Sequence, residues 1–322
     1  MKLTYAFCTY NRSERLPSLV AAMRAQECPV PFEILAVNNN STDDTAAILE
    51  GLAGEPGPSL RVVTETEQGI VPARNRVLNE AMSSDILVFM DDDELPRPGL
   101  LQAVYDALVN EGAECVGGRV VVDFRPHSRP DWLTEELLGF LGAVNHGEAP
   151  FWIKDAGTPV WSGNAAYAMR LFREDPTLHF DRRYNRQGSD VGGGEDAIMF
   201  RTLLDRNLKI RYRPDMVVDH FVEPWRLKRG YFLKLHYRAG VRYGRNELPA
   251  YERRIFGVPP FLVTQFLRQC GRMVAMQLRE QPGVLRQAMN AAHALGTMAG
   301  YREHSVEKNK QHANAISRRA QR

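Results

Sequence analysis

Two groups of carboxylates in this chain have the residue types and spacing to do chemistry. In Asp91-Asp92-Asp93-Glu94 the apolar run Ile86-Leu87-Val88-Phe89-Met90 ends abruptly in four acids, and in Asp190-Val191-Gly192-Gly193-Gly194-Glu195-Asp196 a glycine run leads into two more. Like charges packed this closely raise one another's pKa values, so the first group needs an open rim or a cation. Hard divalent ions such as Mg²⁺ and Mn²⁺ take one or two carboxylates plus phosphate oxygens, which suits the arrangement. An acidic turn ahead of Pro96 and Pro98 would account for the triplet taken alone. After the second group, Ala197-Ile198-Met199-Phe200 and Leu203-Leu204 have the spacing of a packed helix. Glu195 and Asp196 then fall in its first turn, where the helix dipole favours an ionised carboxylate.

The elements that must position these acids are short apolar strands predicted at residues 3–8, 32–37, 60–64 and 86–90. They alternate with helical patterns at about 14–26, beyond Asp44, and at about 71–82. That alternation predicts an α/β fold, a Rossmann-like and mostly parallel sheet with helices on both faces. In such sheets ligands sit outside the carboxyl ends of the strands. Three of the four ends are unusually polar: Thr9-Tyr10-Asn11-Arg12, Asn38-Asn39-Asn40-Ser41 and the acidic cluster. No G-x-x-x-x-G-K occurs, and no G-x-G-x-x-G follows the first strand, so bound phosphates would be held chiefly by a metal and basic side chains. Residues 114–123 read as a further strand, 124–160 as a long ordered excursion, and strands near 209–212 and 216–218 precede Asp219-His220-Phe221.

At 322 residues and 44% hydrophobic, the chain can bury one large domain plus an appendage. Cys8, Cys28, Cys115 and Cys270 form neither a disulfide framework nor a zinc pattern, which fits a reducing compartment. The start enters a strand pattern at once, so no signal peptide is expected, and no apolar run approaches the ~18 residues of a spanning helix. The formal net charge is +2, but residues 225–322 hold 19 Lys and Arg against 5 acids, while residues 1–224 hold 22 against 34. A cationic segment of this kind meets something anionic, membrane headgroups or nucleic acid. No helix-turn-helix, zinc or RNP pattern accompanies it, so no nucleic-acid partner is expected.

Cys8-Thr9-Tyr10-Asn11-Arg12, Asn39-Asn40-Ser41-Thr42-Asp43, Ala73-Arg74-Asn75, Asp91-Asp92-Asp93 and Gly193-Gly194-Glu195-Asp196, in this order and spacing, resemble glycosyltransferase family 2 with the GT-A fold. The resemblance covers roughly residues 1–225 and leaves 226–322 as a basic helical region. Within the family the chain most resembles bacterial exopolysaccharide transferases of the succinoglycan type. That likeness implies an inverting, Mn²⁺- or Mg²⁺-dependent transfer of a hexose from a nucleotide diphosphate sugar, a UDP-sugar first of all. The acceptor it implies is a growing, lipid-linked glycan at the cytoplasmic membrane face. A non-catalytic nucleotide-sugar sensor on the same fold is the alternative.

By the same resemblance Asp91 faces the ribose, Asp93 reaches the metal and Asp92 shapes the turn between them. Thr9 and Asn11 line the nucleotide pocket, and Arg74 lies near the base or a phosphate. The family commonly has an acid just after the second strand, where Asn38 and Asn39 stand here; an Asn carbonyl can accept a base N–H as well, but its amide can also donate. Asp196 is the expected base that takes the acceptor's hydroxyl proton, with Glu195 the close alternative, and His220 either completes the metal shell or contacts the diphosphate. In Trp161-Ser162-Gly163-Asn164 the small residues would let substrate approach, which places Asn164 with Trp161 among the acceptor and sugar contacts; Trp161 serves equally as an apolar plate for a sugar face or as a core residue.

Residues 226–245 set seven basic side chains among aromatics on a predicted helix, some to close over the diphosphate and others to meet lipid phosphates. From about 261 to 279, Arg268, Arg272 and Arg279 fall within roughly 40° of one another at 100° per residue. Leu262, Val263, Phe266, Met273, Val274 and Leu278 spread over the other side. This is the pattern of a helix in a membrane interface with basic residues among anionic headgroups, and equally of one packed on the core or on a second subunit. Residues from Arg302 onward are polar and read as a loose end.

Overall fold

A computed structural model describes residues 1–186, 191–255 and 257–320, with side chains through Glu303; Asp190, which opens the glycine run, lies outside the described residues. The chain forms two units, Met1–Asp190 with Gly194–Pro224, and Val191–Gly193 with Trp225–Arg322.

The first unit begins with β1 (Leu3–Thr9), α1 (Leu16–Arg24), β2 (Phe32–Asn38), α2 (Thr45–Ala53), β3 (Leu60–Thr64), α3 (Ile70–Glu80) and β4 (Ile86–Asp91). Successive residues Leu3 to Phe7 and Ile34 to Val37 are all buried, so β1 and β2 are covered on both faces, as their continuous apolar composition requires. The four strands are parallel in the order β3-β2-β1-β4. The chain therefore winds outward from β1 and returns to its other side, which makes the gap beyond β1 and β4 the switch point where such sheets bind ligands. Register brings the polar ends together, with Thr9 opposite Asn38 and Cys8 opposite Asp91.

Beyond β4 the sheet becomes mixed. β5 (Glu94–Pro96) follows the acidic turn, then α4 (Leu100–Tyr105), β6 (Cys115–Asp123), β7 (Phe151–Ile153), β8 (Asn164–Ala168), α5 (Arg170–Glu174), α6 (Glu195–Asp205) and β9 (Ile210–Phe221). β8 inserts between β4 and β6 and runs antiparallel to both, while β6 and β9 pair in parallel. The two short strands predicted near 209–212 and 216–218 are one strand, β9, whose register against β6 shifts at Gly118/Arg119. That irregularity absorbs the Arg213-Pro214-Asp215 interruption that made the sequence look broken.

The second unit consists of α7 (Arg229–Asn246), α8 (Pro260–Leu278) and α9 (Val284–Ala320). Gly240 and Gly244 on α7 face Gly296 and Gly300 on α9. A β-carbon at any of the four would lie about 2 Å from the partner's backbone: 2.1 Å from the His293 carbonyl oxygen at Gly240, 2.1 Å from that of Thr297 at Gly244, 2.0 Å from that of Tyr237 at Gly296 and 1.9 Å from that of Val241 at Gly300. Two small-xxx-small pairs thus let the helix backbones touch. α8 adds a satellite core of Val258, Leu262 and Tyr301. The backbone of α9 continues as a helix to Ala320, where the sequence suggested a loose end. Its Glu, Lys, Gln, Arg and Ala residues are strong helix formers even without an apolar stripe. No helix among the described residues is long and apolar enough to cross a membrane.

Candidate active site

The site is built from the Arg74 guanidinium outward. Gly69 precedes α3 with φ 136°, and a β-carbon there would lie 2.2 Å from the Asn185 side chain, so glycine is required on both conformational and steric grounds. Asn185 accepts a hydrogen bond from the Val71 N–H at 3.2 Å, which seats the first turn of α3. Arg74, one turn in, is almost wholly buried, and Asn75 beside it exchanges two 2.9 Å hydrogen bonds with the Phe180 backbone. Arg74 Nη2 donates to Asp91 Oδ1 at 2.9 Å, and Nη1 donates to Glu195 Oε1 at 3.0 Å and to Asp196 Oδ1.

One buried cation therefore joins the acids at the end of β4 to those at the start of α6, across more than a hundred residues of sequence. Burial works against the Arg74 charge, but Asp196, Asp91 and Glu195 together hold its pKa well above the usual arginine value. Sequence reasoning gave Arg74 a base or phosphate; the structure commits its guanidinium to three carboxylates.

The acidic turn is not uniform. Glu94 is 5% exposed and accepts from the Asp91 N–H at 3.3 Å. Burial, then the charges of Asp91 and Asp93, push its pKa well above the ordinary glutamate value, which favours the protonated form. Asp92 is half-buried, and burial followed by Asp93 raises it to about 7. A β-carbon on Gly163 would lie 2.9 Å from Asp91 Oδ2 and 3.0 Å from Glu94 Oε1, so this glycine admits the carboxylates into the sheet. Glu94 and Gly163 are structural parts of the site that the family motifs do not reveal. The signal for Glu94 was the unbroken run of four acids, whose like charges raise one another's pKa values.

Asp93 lies at the other side of the turn. β5 pairs antiparallel with β9, Glu94 standing opposite His220, and the Phe221 N–H donates to the Asp93 carbonyl at 2.8 Å. This brings His220 Nε2 to 3.4 Å from Asp93 Oδ1. Octahedral ligands at about 2.1 Å from one ion stand about 3 Å apart, so the pair fits two neighbouring positions of a Mn²⁺ or Mg²⁺ shell. The other His220 nitrogen, Nδ1, is buried with no hydrogen-bond partner among the described residues. No group of three or more His, Cys, Asp or Glu side chains is placed to hold one metal ion among the described residues, so the remaining positions would belong to phosphate oxygens and water.

The nucleotide-side residues divide in two. Thr9, Asn39 and Asp92, with Gln68, Gly69, Ile70 and Arg186, line a pocket of about 140 Å³ at the switch point. Arg12 lines both this pocket and an adjoining one, and it is held by a 2.7 Å ion pair to Glu223, which also takes Arg15. Asn39 accepts from the Gly69 N–H at 2.7 Å and donates to the Glu67 carbonyl at 2.7 Å, and its remaining bonds go to Glu65 and Gln68. Asn38 is buried, and its Oδ1 caps the turn through the Ser41 N–H. Asn11, at φ 52°, accepts from the Thr42 N–H at 2.8 Å and ties the end of β1 to the loop after β2. Asn39 thus shapes the pocket wall, and its amide, with two bonds donated and two accepted, has little left for a base.

Asn164 is a correction. It is 1% exposed, and its Nδ2 donates to the Arg119 and Met216 carbonyls at 3.0 and 2.9 Å across the irregular register of β6 and β9. It holds the sheet together where backbone pairing fails and does not face an acceptor. Trp161 is half-buried against the main core.

Residues 6–175 match the glycosyl transferase family 2 model. Over 286 residues the chain is 29% identical to the glycosyltransferase AglE of Haloferax volcanii, covering 87% of this chain and 86% of that one. It is 32% identical over 111 residues to the uncharacterized glycosyltransferase YfnE of Bacillus subtilis, a stretch that covers 34% of this chain and only 28% of YfnE. Among solved structures, TarS of S. aureus in complex with UDP-GlcNAc superposes with a TM-score of 0.55 at 18% identity, covering 97% of this chain and 92% of that one. The mannosyltransferase PcManGT of Pyrobaculum calidifontis, in complex with GDP-Man and Mn²⁺, gives 0.53 at 20% identity, with 95% and 86% covered. These likenesses show a shared GT-A fold, an open mixed α/β sheet with helices. The chain belongs to glycosyl transferase family 2.

Proposed function

We propose that the chain transfers a hexose, with inversion, from a nucleotide diphosphate sugar to a growing glycan, residues 1–225 carrying the chemistry and 226–322 meeting the membrane. The observation that carries this is the Arg74 bridge, which joins a ligand-side acid, Asp91, to Asp196 at a helix start. Of the two α6 acids, Asp196 has 24% of its side chain exposed and Glu195 only 6%. Asp196 is therefore the base that can reach an acceptor hydroxyl. Burial, then Asp196, raises the pKa of Glu195, so it is the buried member of the pair whose charge is disfavoured.

In the reaction Asp196 takes the acceptor hydroxyl proton as that oxygen attacks the anomeric carbon opposite the departing diphosphate. Arg74 keeps the carboxylate aimed, and Asp91 orients the donor ribose. Asp93 and His220 would hold a divalent ion, which supplies Lewis-acid neutralisation of the leaving diphosphate when bound. PcManGT carries Mn²⁺ and GDP-Man, and TarS carries UDP-GlcNAc, so the ion and a nucleotide sugar are reasonable ligands for the shared fold. We take a UDP-sugar as the donor, and a lipid-linked oligosaccharide of a surface polysaccharide, at the cytoplasmic membrane face, as the acceptor. Incubation with Mn²⁺ and a panel of uridine and guanosine diphosphate sugars, with released nucleotide measured, tests the reading. Neither binding nor release with any donor would overturn it.

A further inference from the structure

We infer that the outward face of α8 seats on an anionic membrane surface, as a docking helix lying in the headgroup layer. The inference deepens the proposed membrane setting, and it is tested without donor or acceptor, so its failure would leave the transferase reading standing. Only part of the apolar side read from the sequence does this. Leu262 is 3% exposed, and Phe266 and Met273 on the same side are half-buried within the second unit. What remains outside is the edge formed by Val274, 51% exposed, and Leu278, 80%, together with Leu267, 61%, which the side read from the sequence does not include.

At 100° per residue these three, with Gly271 and Ala275, occupy an arc of about 100°. Arg268, Arg272 and Arg279 form its border along one edge, all of them exposed, with no ion pair to any of the three among the described residues. α8 contains no acidic residue over its 19 positions. Large exposed apolar side chains in line mark an interaction surface. The arginine border chooses among the partners. In a two-fold contact between copies of α8, like charges would meet with no carboxylate on the helix to pair them, so a self-interface is disfavoured. Nucleic acid would leave the leucines in water. An anionic bilayer satisfies both features, because the leucines enter the acyl boundary while the guanidinium groups lie among headgroup phosphates.

The test is flotation of the full chain with vesicles of phosphatidylcholine alone or mixed equally with phosphatidylglycerol. Binding is expected to the mixed vesicles and to weaken as salt rises. Arg268→Gln/Arg272→Gln/Arg279→Gln is expected to lower partitioning on the order of 100-fold, at about 1 kcal/mol per arginine. Leu267→Glu and Leu278→Glu, at positions that touch little of the protein, are each expected to abolish it with unchanged circular dichroism and melting temperature. Equal flotation of wild type and all variants, or a concentration-dependent dimer in sedimentation that Leu267→Glu dissociates, would overturn the inference.

Discussion

The two units of this chain deal with charge in opposite ways. In the first, one arginine, 3% exposed, holds three acids, of which Glu195 is buried and Asp91 and Asp196 are partly exposed. In the second, cations are left outside and the interior is closed by glycines whose backbones touch. A buried charge network depends on every member being present, because removal of one leaves the others uncompensated in a poor dielectric. A glycine interface depends on shape alone and is indifferent to charge. Substitutions should therefore fail for different reasons in the two units, and the failures can be told apart.

The largest effect belongs to the acids that act rather than hold. Asp196→Asn is expected to lower kcat by about 10² to 10⁴ while donor binding stays within a few-fold. Equilibrium binding of the donor beside steady-state turnover checks this, and near-normal turnover would return the role of base to Glu195. Arg74→Met comes next. It leaves Asp91, Asp196 and Glu195 without their counter-charge and is expected to cost about 3 to 5 kcal/mol in urea unfolding. Arg74→Lys should recover part of that stability but not turnover, since a single ammonium cannot span both acid groups.

Smaller again is the glycine interface. Gly240→Ala places a methyl about 2 Å from the His293 carbonyl oxygen, and the helices must part to admit it. Overpacking of this kind costs about 1 to 3 kcal/mol. Hydrogen exchange should show faster opening in α7 and α9 with β1, β2 and β4 unchanged. Equal acceleration in the sheet would mean that the two units do not open separately.

The sequence carried the first unit well and the second poorly, for a physical reason. Apolar strands ending in polar residues follow from local alternation, so β1, β2, β3 and β4 and the ligand-facing ends could be read in order. Motif spacing also brought Asp91, Arg74 and Asp196 onto one short set of residues. What it could not carry was who pairs with whom. Family resemblance places Arg74 near the base or a phosphate; only the fold shows three carboxylates around it. Asn164 looked like a substrate contact because it follows Ser162 and Gly163, whereas its partners are carbonyls of β6 and β9 brought there by a register shift. In the second unit the informative residues were Gly240, Gly244, Gly296 and Gly300, whose four-residue spacing was visible but whose partner helix lay some fifty residues away. The division of α8 into an inner and an outer apolar side likewise depended on α9, since helical period alone gives both.

The smallest prediction sets the two units against each other through protons. In the first, burial and like charge raise Asp92 to about 7 and push Glu94 and Glu195 upward. The folded unit then binds more protons than the unfolded chain from about pH 4 to 7, so acidification over that window stabilises it. In the second unit, burial lowers His236 and His293 below the ordinary imidazole value, with Arg286 and Arg242 respectively adding to the shift. Here the unfolded chain binds more protons, so stability is fully present above about pH 6.5 and falls as pH drops through that value. Carboxylates that the fold lowers, such as Asp43 and Asp181, give up their contribution only below about pH 4 and stay out of the comparison. Between pH 7 and pH 5, in chelator so that no metal competes for Asp93, protection against hydrogen exchange, corrected for the intrinsic pH dependence of exchange, should therefore rise in β1 and β4 and fall in α7 and α9. Asp92→Asn should weaken the first trend and His293→Gln the second, each without touching the other, because each substitution removes one of the groups that drive only its own unit.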